Sequence, residues 1–377
     1  MHIMIDGRHI RKRQAGLGSY SLQLIKALAS VDRDNRYTVL CTRRSAELVG
    51  SLPSNFQLHT SWIGVENHVL GDPYRQLIVP ILMLLRGVDI YHDPAYLLPY
   101  LHFRSRLIVT VHDLVPFYFP ETNRWRYIQY MRLNTRASVR IADAVIVDSD
   151  AVRIDLIDKL GVPYKKIRCI PLGVSPDFHV IDDDDSLKET LTKLAVHSDY
   201  ILTVSTIEPR KNILRLIEAY ALAVDRFNIR NHLVICGRKG FKSEDIEKTI
   251  RKNNCEGKVH LTGYVEQSDL INLYNCAALY VCPSLYEGFG LPVLEAMACG
   301  VPVVVSNKSA LPEIVGDAGL LFDPNNIENM ITIMARPLLD KNIHDSMRKA
   351  GLIHSAQFTW QKTAKKTIEL YNDVIAK

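Results

Sequence analysis

Two carboxylates bracket a glycine-rich loop late in the chain. Residues 286–305 read Y-E-G-F-G-L-P-V-L-E-A-M-A-C-G-V-P-V-V-V. Gly288 and Gly290 flank Phe289 and allow turns closed to other residues. Pro292 suits the first helical position, Val293 to Cys299 reads as a short helix, and Gly300 with Pro302 stops it. Val303 to Val305 reads as a buried strand. A loop that feeds a helix N-terminus this way is an anion site, because free amides and the helix dipole point at whatever sits there. Carboxylates beside such a site repel a phosphate unless they have another task, such as accepting hydrogen bonds from sugar hydroxyls. Glu287 stands before the loop and Glu295 inside the helix. A diphosphate with a ribose on one side and a sugar on the other suits both, Glu295 on the ribose and Glu287 on the transferred sugar.

Two adjacent cations, Arg210 and Lys211, lie in T-I-E-P-R-K-N, after the strand expected at 200–205 and before the helix expected at 213–224. Cations there can neutralise a leaving diphosphate, arginine as a planar fork and lysine as a compact charge; the alternative is a plain surface pair. In the first half, a strand at His2–Asp6 leads into a loop, Gly7 to Gly18, that carries Arg8, Arg11, Lys12 and Arg13. A-G-L-G-S-Y, 15–20, then opens a helix through Leu28. Gly16-x-Gly18 lacks the third glycine of a dinucleotide fingerprint, which counts against a nicotinamide-dependent oxidoreductase. His112 and Asp113 follow an apolar strand. Arg132, Arg136 and Arg140 share one face of a helix expected at 124–142, either a solvated face or one set against acidic partners such as lipid phosphates.

The elements that must hold these groups alternate. Strands are expected at 37–41, 56–60, 88–91, 106–111, 143–147 and 167–170, and again at 200–205, 233–236, 259–261, 277–281 and 303–305, with a helix-like stretch at 74–85. Such alternation predicts mostly parallel sheets with helices on both faces, and ligands outside the carboxyl ends of the strands. Asp182 to Asp185 reads as a solvated linker or loop. The length of 377 residues is enough for two domains. Residues 1–178 hold 23 Lys and Arg against 16 Asp and Glu, and the rest hold 23 against 25, so the first half is basic. That excess fits an anionic surface or ordinary surface charge; no nucleic-acid partner is expected. Seven cysteines without metal-ligand spacing read as buried thiols of a reducing cytosol. No secretory leader is expected at Met1–Asp6, and the longest apolar run, Leu77 to Leu85, contains Pro80 and is too short to span a bilayer. A cytoplasmic chain, soluble or peripheral on the inner face of the membrane, is expected.

E-G-F-G-L-P-x-L-E-A-M-A-x-G-x-P-V-V resembles the donor-site signature of retaining glycosyltransferases of the GT-B fold, family 4 (group 1), which includes bacterial mannosyl- and glucosyltransferases. H-D-L-V-P-F-Y-F-P-E, from His112, resembles its mannosyltransferase-like members. The resemblance implies an α/β GT-B architecture of two Rossmann-like domains facing a central cleft: 1–178 on the acceptor side, 179–357 on the donor side, and 358–377 as a helix crossing back to the first domain. It implies a nucleotide-sugar donor, with GDP-mannose favoured, a glycan or lipid-linked acceptor, and a place in polysaccharide, O-antigen or glycolipid synthesis, with neither a cofactor nor a metal ion. His112, Arg210, Lys211 and Glu287 would be catalytic, His112 and Glu287 holding the sugar. Gly16, Gly18, Gly263, Tyr264, Gly288, Phe289, Gly290, Leu291 and Glu295 would line the donor, and Asp113 the acceptor side. The commoner family arginine directly after the strand is here Thr206, and Arg210 is the candidate to replace it. A related GT-B sugar-nucleotide epimerase and a non-catalytic sugar-nucleotide binder are the alternatives.

Overall fold

The structure, a computed structural model, describes residues 1–377 other than 12–15, 62, 65–67 and 242. Lys12, Arg13 and Ala15 of the first basic loop therefore lie outside the described residues. The chain forms two compact units: Met1–Phe117, Arg126–Gly173 and Thr359–Lys377 make the first, and Tyr118–Trp125 with Val174–Phe358 the second. The change of unit falls at Gly173 rather than 178, and the short segment 118–125 belongs with the second unit.

The first unit holds β1 (His2–Asp6), β2 (Arg36–Thr42), β3 (Phe56–Ser61), β4 (Ile90–Asp93), β5 (Arg106–Val111), β6 (Ala144–Val147) and β7 (Ile167–Cys169). They lie in the order β3-β2-β1-β4-β5-β6-β7, every pairing parallel. The second unit holds β8 (Tyr200–Val204), β9 (Leu233–Cys236), β10 (Val259–Gly263), β11 (Ala277–Cys282), β12 (Val303–Ser306) and β13 (Leu320–Phe322). Their order is β10-β9-β8-β11-β12-β13, again all parallel. Each sheet reverses its winding once, between β1 and β4 and between β8 and β11. Parallel strands covered on both faces need continuous apolar runs, and β12 is accordingly buried at every position. The helix Ile213–Phe227 closes one face of the second sheet with Ile213, Leu216, Ile217, Tyr220 and Ala223. The last helix, Trp360–Ile375, packs within the first unit: Tyr371 Oη lies 2.7 Å from His92 Nδ1, and Thr363 Oγ1 donates to the Pro171 carbonyl at 2.8 Å.

Three local expectations are corrected. Asp182 to Asp185 is not a plain solvated loop: Asp183 caps the helix Asp184–Leu194 by accepting from the Asp185 amide. Asp183 at that end complements the helix dipole, which a run of like charges conceals in the sequence. The helix at 74–85 is a π-helical turn, Tyr74–Ile78, continued by Val79–Arg86. Arg8 is no loop cation: it is buried, its guanidinium grips the Asp6 carboxylate at 2.5 Å, and it lies over the Tyr74 ring. Among the described residues no helix is long and apolar enough to cross a membrane. All seven cysteines are free thiols, Cys169 and Cys276 being the two not fully buried.

Candidate functional site

The winding of the second sheet puts the loops after β8 and β11 side by side, where an open parallel sheet leaves a crevice. The first loop turns through Pro209–Lys211, and the second runs from Cys282 to the helix Leu291–Ala298. The Leu285 amide donates to the Arg210 carbonyl at 2.8 Å, which clips them together. Their side chains converge on one carboxylate. Lys211 Nζ lies 2.5 Å from Glu287 Oε1, Ser284 Oγ donates to the same oxygen at 2.6 Å, and Arg210 Nη1 lies 3.3 Å from Oε2. Arg210 also donates to the Tyr286 carbonyl at 2.9 Å and pairs through Nε with Glu208 at 2.6 Å. These ionic side chains are 13–15% exposed, so solvent screens them weakly. Burial alone would raise the Glu287 carboxyl; Lys211 first and Arg210 second outweigh it and bring it down to about 2. Two cations and two carboxylates leave the cluster formally neutral. A dianionic ligand would find Lys211 and Arg210 already positioned, with Glu287 to accept a hydroxyl at a lone pair the cations leave open.

The glycine loop follows at once. Gly290 caps the helix with φ +102, and a Cβ there would lie 2.9 Å from Leu311 Cδ2, so only glycine fits without displacement. The helix starts at Leu291, putting Pro292 in its second position, and no side chain caps it, so its first-turn amides are not consumed by a capping side chain. Phe289 is buried, with its ring 6.2 Å from that of Phe358. Gly288 leads the chain past Ser309, whose hydroxyl donates to the Glu287 carbonyl at 2.6 Å. Glu295 is set apart from the cations. It accepts from Tyr274 Oη at 3.1 Å, and burial pushes its carboxyl up to about 7 against that hydrogen bond. Gly263 ends β10, its carbonyl accepting from the Gly237 amide at 2.9 Å, and Tyr264 beyond it is 40% exposed. The segment 118–125 also reaches this region: Tyr118 and Phe119 pack on Tyr286 at 5.3 and 5.9 Å between ring centroids.

In the first unit, the expected sugar-binding histidine is fully engaged. His112 Nδ1 lies 2.6 Å from Asp148 Oδ2, and Nε2 lies 2.9 Å from the Pro94 carbonyl oxygen. Both contacts suit a ring that donates from each nitrogen, an arrangement that favours the imidazolium. Burial opposes the charge, but Asp148 prevails and raises the histidine above its ordinary range. To bond a ligand, His112 must release Pro94 or act through its charge. Asp113 caps the short turn after it, Oδ1 accepting from the Val115 amide at 3.0 Å. Gly16, with φ +60, precedes the helix Leu17–Val31, and Gly18 lies inside its first turn. A Cβ on Gly18 would lie 2.9 Å from the His9 carbonyl oxygen, a packing reason for glycine there. The arginine stripe is not a bare row: Arg132 donates to the Pro116 carbonyl, and the guanidiniums of Arg132 and Arg136 sit 5.9 and 5.1 Å from the Phe117 ring centre.

Sequence reasoning missed Glu208, Ser284, Tyr274 and Asp148. For Asp148 a signal existed: β5 and β6 pair with Val111 opposite Val147, so the residues just beyond, His112 and Asp148, had to be neighbours. Nothing in the spacing of the other three marks them.

Comparison with known proteins identifies the family. The family model "Glycosyl transferases group 1" matches residues 191–373, and "Glycosyltransferase Family 4" matches 15–178. The chain is 32% identical over 98% of its length to O-antigen chain mannosyltransferase B of Escherichia coli, covering 99% of that protein. It is 31% identical over 70% of its length to the serotype-specific mannosyltransferase WbdA of Escherichia coli, of which it spans about a third. Among solved structures, sucrose-phosphate synthase from Thermosynechococcus elongatus superposes with a TM-score of 0.77 at 22% identity, covering 100% of this chain and 99% of that one. The chain belongs to the group 1, family 4 glycosyltransferases and is a glycosyltransferase of the GT-B fold.

Proposed function

We propose that the protein transfers a hexose, mannose from GDP-mannose in the first instance, to a hydroxyl of a glycan or lipid-linked acceptor during O-antigen or related polysaccharide assembly. The observation that carries this reading is the convergence of Lys211 and Arg210 on Glu287 at the winding reversal of the second sheet. The likeness to an O-antigen mannosyltransferase over nearly the whole chain supports the choice of sugar. As the bond between the sugar and the diphosphate breaks, negative charge grows on the leaving group, and preorganised cations are worth most at that moment. Lys211 takes a phosphate oxygen and Arg210 forks onto the same group in place of the arginine absent at Thr206. Amides around Phe289, Gly290 and Leu291 meet the diphosphate, Glu287 accepts a sugar hydroxyl, and Glu295 takes the ribose.

The acceptor oxygen attacks the anomeric carbon from the face the diphosphate leaves, and its proton passes to a phosphate oxygen. One carbon–oxygen bond forms as another breaks, and configuration is retained. Protein cations neutralise the diphosphate, so no metal ion is required.

The test is a thermal-shift panel of nucleoside diphosphates and nucleotide-sugars, followed by nucleotide release with the ligands that bind. GDP and GDP-mannose should raise the melting temperature most. A shift with UDP-sugars alone would move the donor to that class. An epimerised sugar without transfer would replace the reading by an epimerase, and binding without turnover by a sugar-nucleotide sensor.

A further inference from the structure

The helix Val79–Arg86 turns an apolar side to solvent. With the π-helical turn before it, it exposes Leu77, Ile78, Ile81, Leu84 and Leu85, of which Leu85 is 76% and Leu77 59% accessible. Their spacing is that of one helix face, while Val79, Pro80 and Met83 are buried on the other. A helix apolar on every side belongs in a core or at a lipid boundary, and here half of it is not in the core. The loop that follows β4 lies along the same helix. Gln76 holds its start, accepting from the Tyr100 amide at 2.8 Å and donating to the Leu98 carbonyl at 3.2 Å. Ser105 holds its end, donating to the Val88 carbonyl at 2.7 Å. Tyr100, Leu101 and Phe103, each at least half exposed, therefore extend the patch. Such a contiguous apolar surface marks an interaction site.

The rim is basic. Arg86 ends the helix, Arg36 donates to its carbonyl, and exposed Arg104 sits in the loop. Among the described residues, Asp72 is paired with Arg75 and accepts from Tyr130, and exposed Asp89 accepts from the His2 amide, which leaves the three arginines in excess over the one acid not paired with a cation. We propose that this face seats the protein on an anionic lipid bilayer. Leucine, isoleucine and phenylalanine side chains enter the boundary between headgroups and acyl chains, and the rim arginines meet lipid phosphates. A second copy fits less well, since it would bring one basic rim against another. The proposal goes beyond the transfer reaction and holds whichever nucleotide-sugar is the donor.

The test uses the full chain with sedimented vesicles, one set of phosphatidylcholine and one of phosphatidylcholine with phosphatidylglycerol. Wild type should pellet with the anionic vesicles and fade with salt. Leu84→Glu/Leu85→Glu should cut partitioning by about tenfold or more, since each leucine loses its apolar transfer, with an unchanged melting curve because both side chains are exposed. Leu101→Ser should weaken binding in the same direction, and Arg104→Gln should lower it on anionic vesicles only. Equal binding to both vesicle types, or binding untouched by the leucine variants, would overturn the proposal. So would a lipid-free dimer, seen by sedimentation velocity, that the leucine variants dissolve. Nucleotide release in solution reads the catalytic site separately.

Discussion

Lys211→Ala removes the nearest cation to Glu287, and its consequences can be worked from the geometry. Glu287 is buried, and its carboxyl is held at about 2 where an ordinary glutamate has 4.5. The gap corresponds to about 3 kcal/mol of folded-state preference for the ionised form. For a depressed carboxylate this stability is fully present above about pH 4.5 and is lost as pH falls toward about 2. Lys211 is the largest favourable contributor, so the variant forfeits a substantial share of it, while Arg210 and Ser284 keep the remainder. Urea unfolding from pH 7 downward should show Lys211→Ala less stable by about 1–2 kcal/mol at neutral pH, with the two curves converging through the acidic window. Turnover should fall further than stability, by about 10²–10³ in kcat, the scale of losing one preorganised charge at a leaving group. A variant that turns over at wild-type rate, or a stability gap that persists undiminished as the carboxylates protonate, would refute the electrostatic reasoning.

Other outcomes follow from the same contacts. Arg210→Ala should lose a comparable factor in kcat and Arg210→Lys recover only part of it, because the planar fork is gone; a near-normal alanine variant would remove Arg210 from the site. Glu295 is held near 7, so a nucleotide that bonds its ionised form should bind more weakly as pH drops below about 7. Calorimetry should show that dependence lost in Glu295→Gln, and a slope that survives would place the titrating group elsewhere. Asp148→Asn should lower the His112 titration midpoint followed by NMR, since Asp148 holds the imidazolium, and an unmoved midpoint would deny that pairing. Activity should survive EDTA; loss on chelation, restored by Mg²⁺ or Mn²⁺, would contradict charge neutralisation by Lys211 and Arg210.

Much of the fold was legible because buried parallel strands leave unambiguous apolar runs. Residues 106–111 and 233–236 were placed to the residue, and both follow loops and end at polar or glycine positions. The loop from Glu287 to Leu291 was legible for a different reason: glycine at a φ of +102 and proline in a helix's first turn are written into composition. What escaped was anything that depends on a partner distant in sequence. Arg8 looked like a loop cation until Tyr74, far along the chain, closed over its pair with Asp6. Arg132 and Arg136 looked like a bare stripe until Phe117 filled the space between them. His112 looked like a free ligand until β6 delivered Asp148 beside it. The run Leu77–Leu85 showed in sequence only that it could not span a bilayer; which side of it lay open needed the fold.

The central claim is transfer of a hexose from a nucleotide-sugar with retained configuration. Its most direct measurement incubates the purified chain with GDP-mannose and a mannose-terminated glycan, follows free GDP, and reads the anomeric configuration of the product by NMR. The account predicts GDP release that depends on the acceptor, and a new linkage with the donor's own anomeric configuration. A product of inverted configuration, or no acceptor-dependent release from any nucleotide-sugar tried, would contradict it.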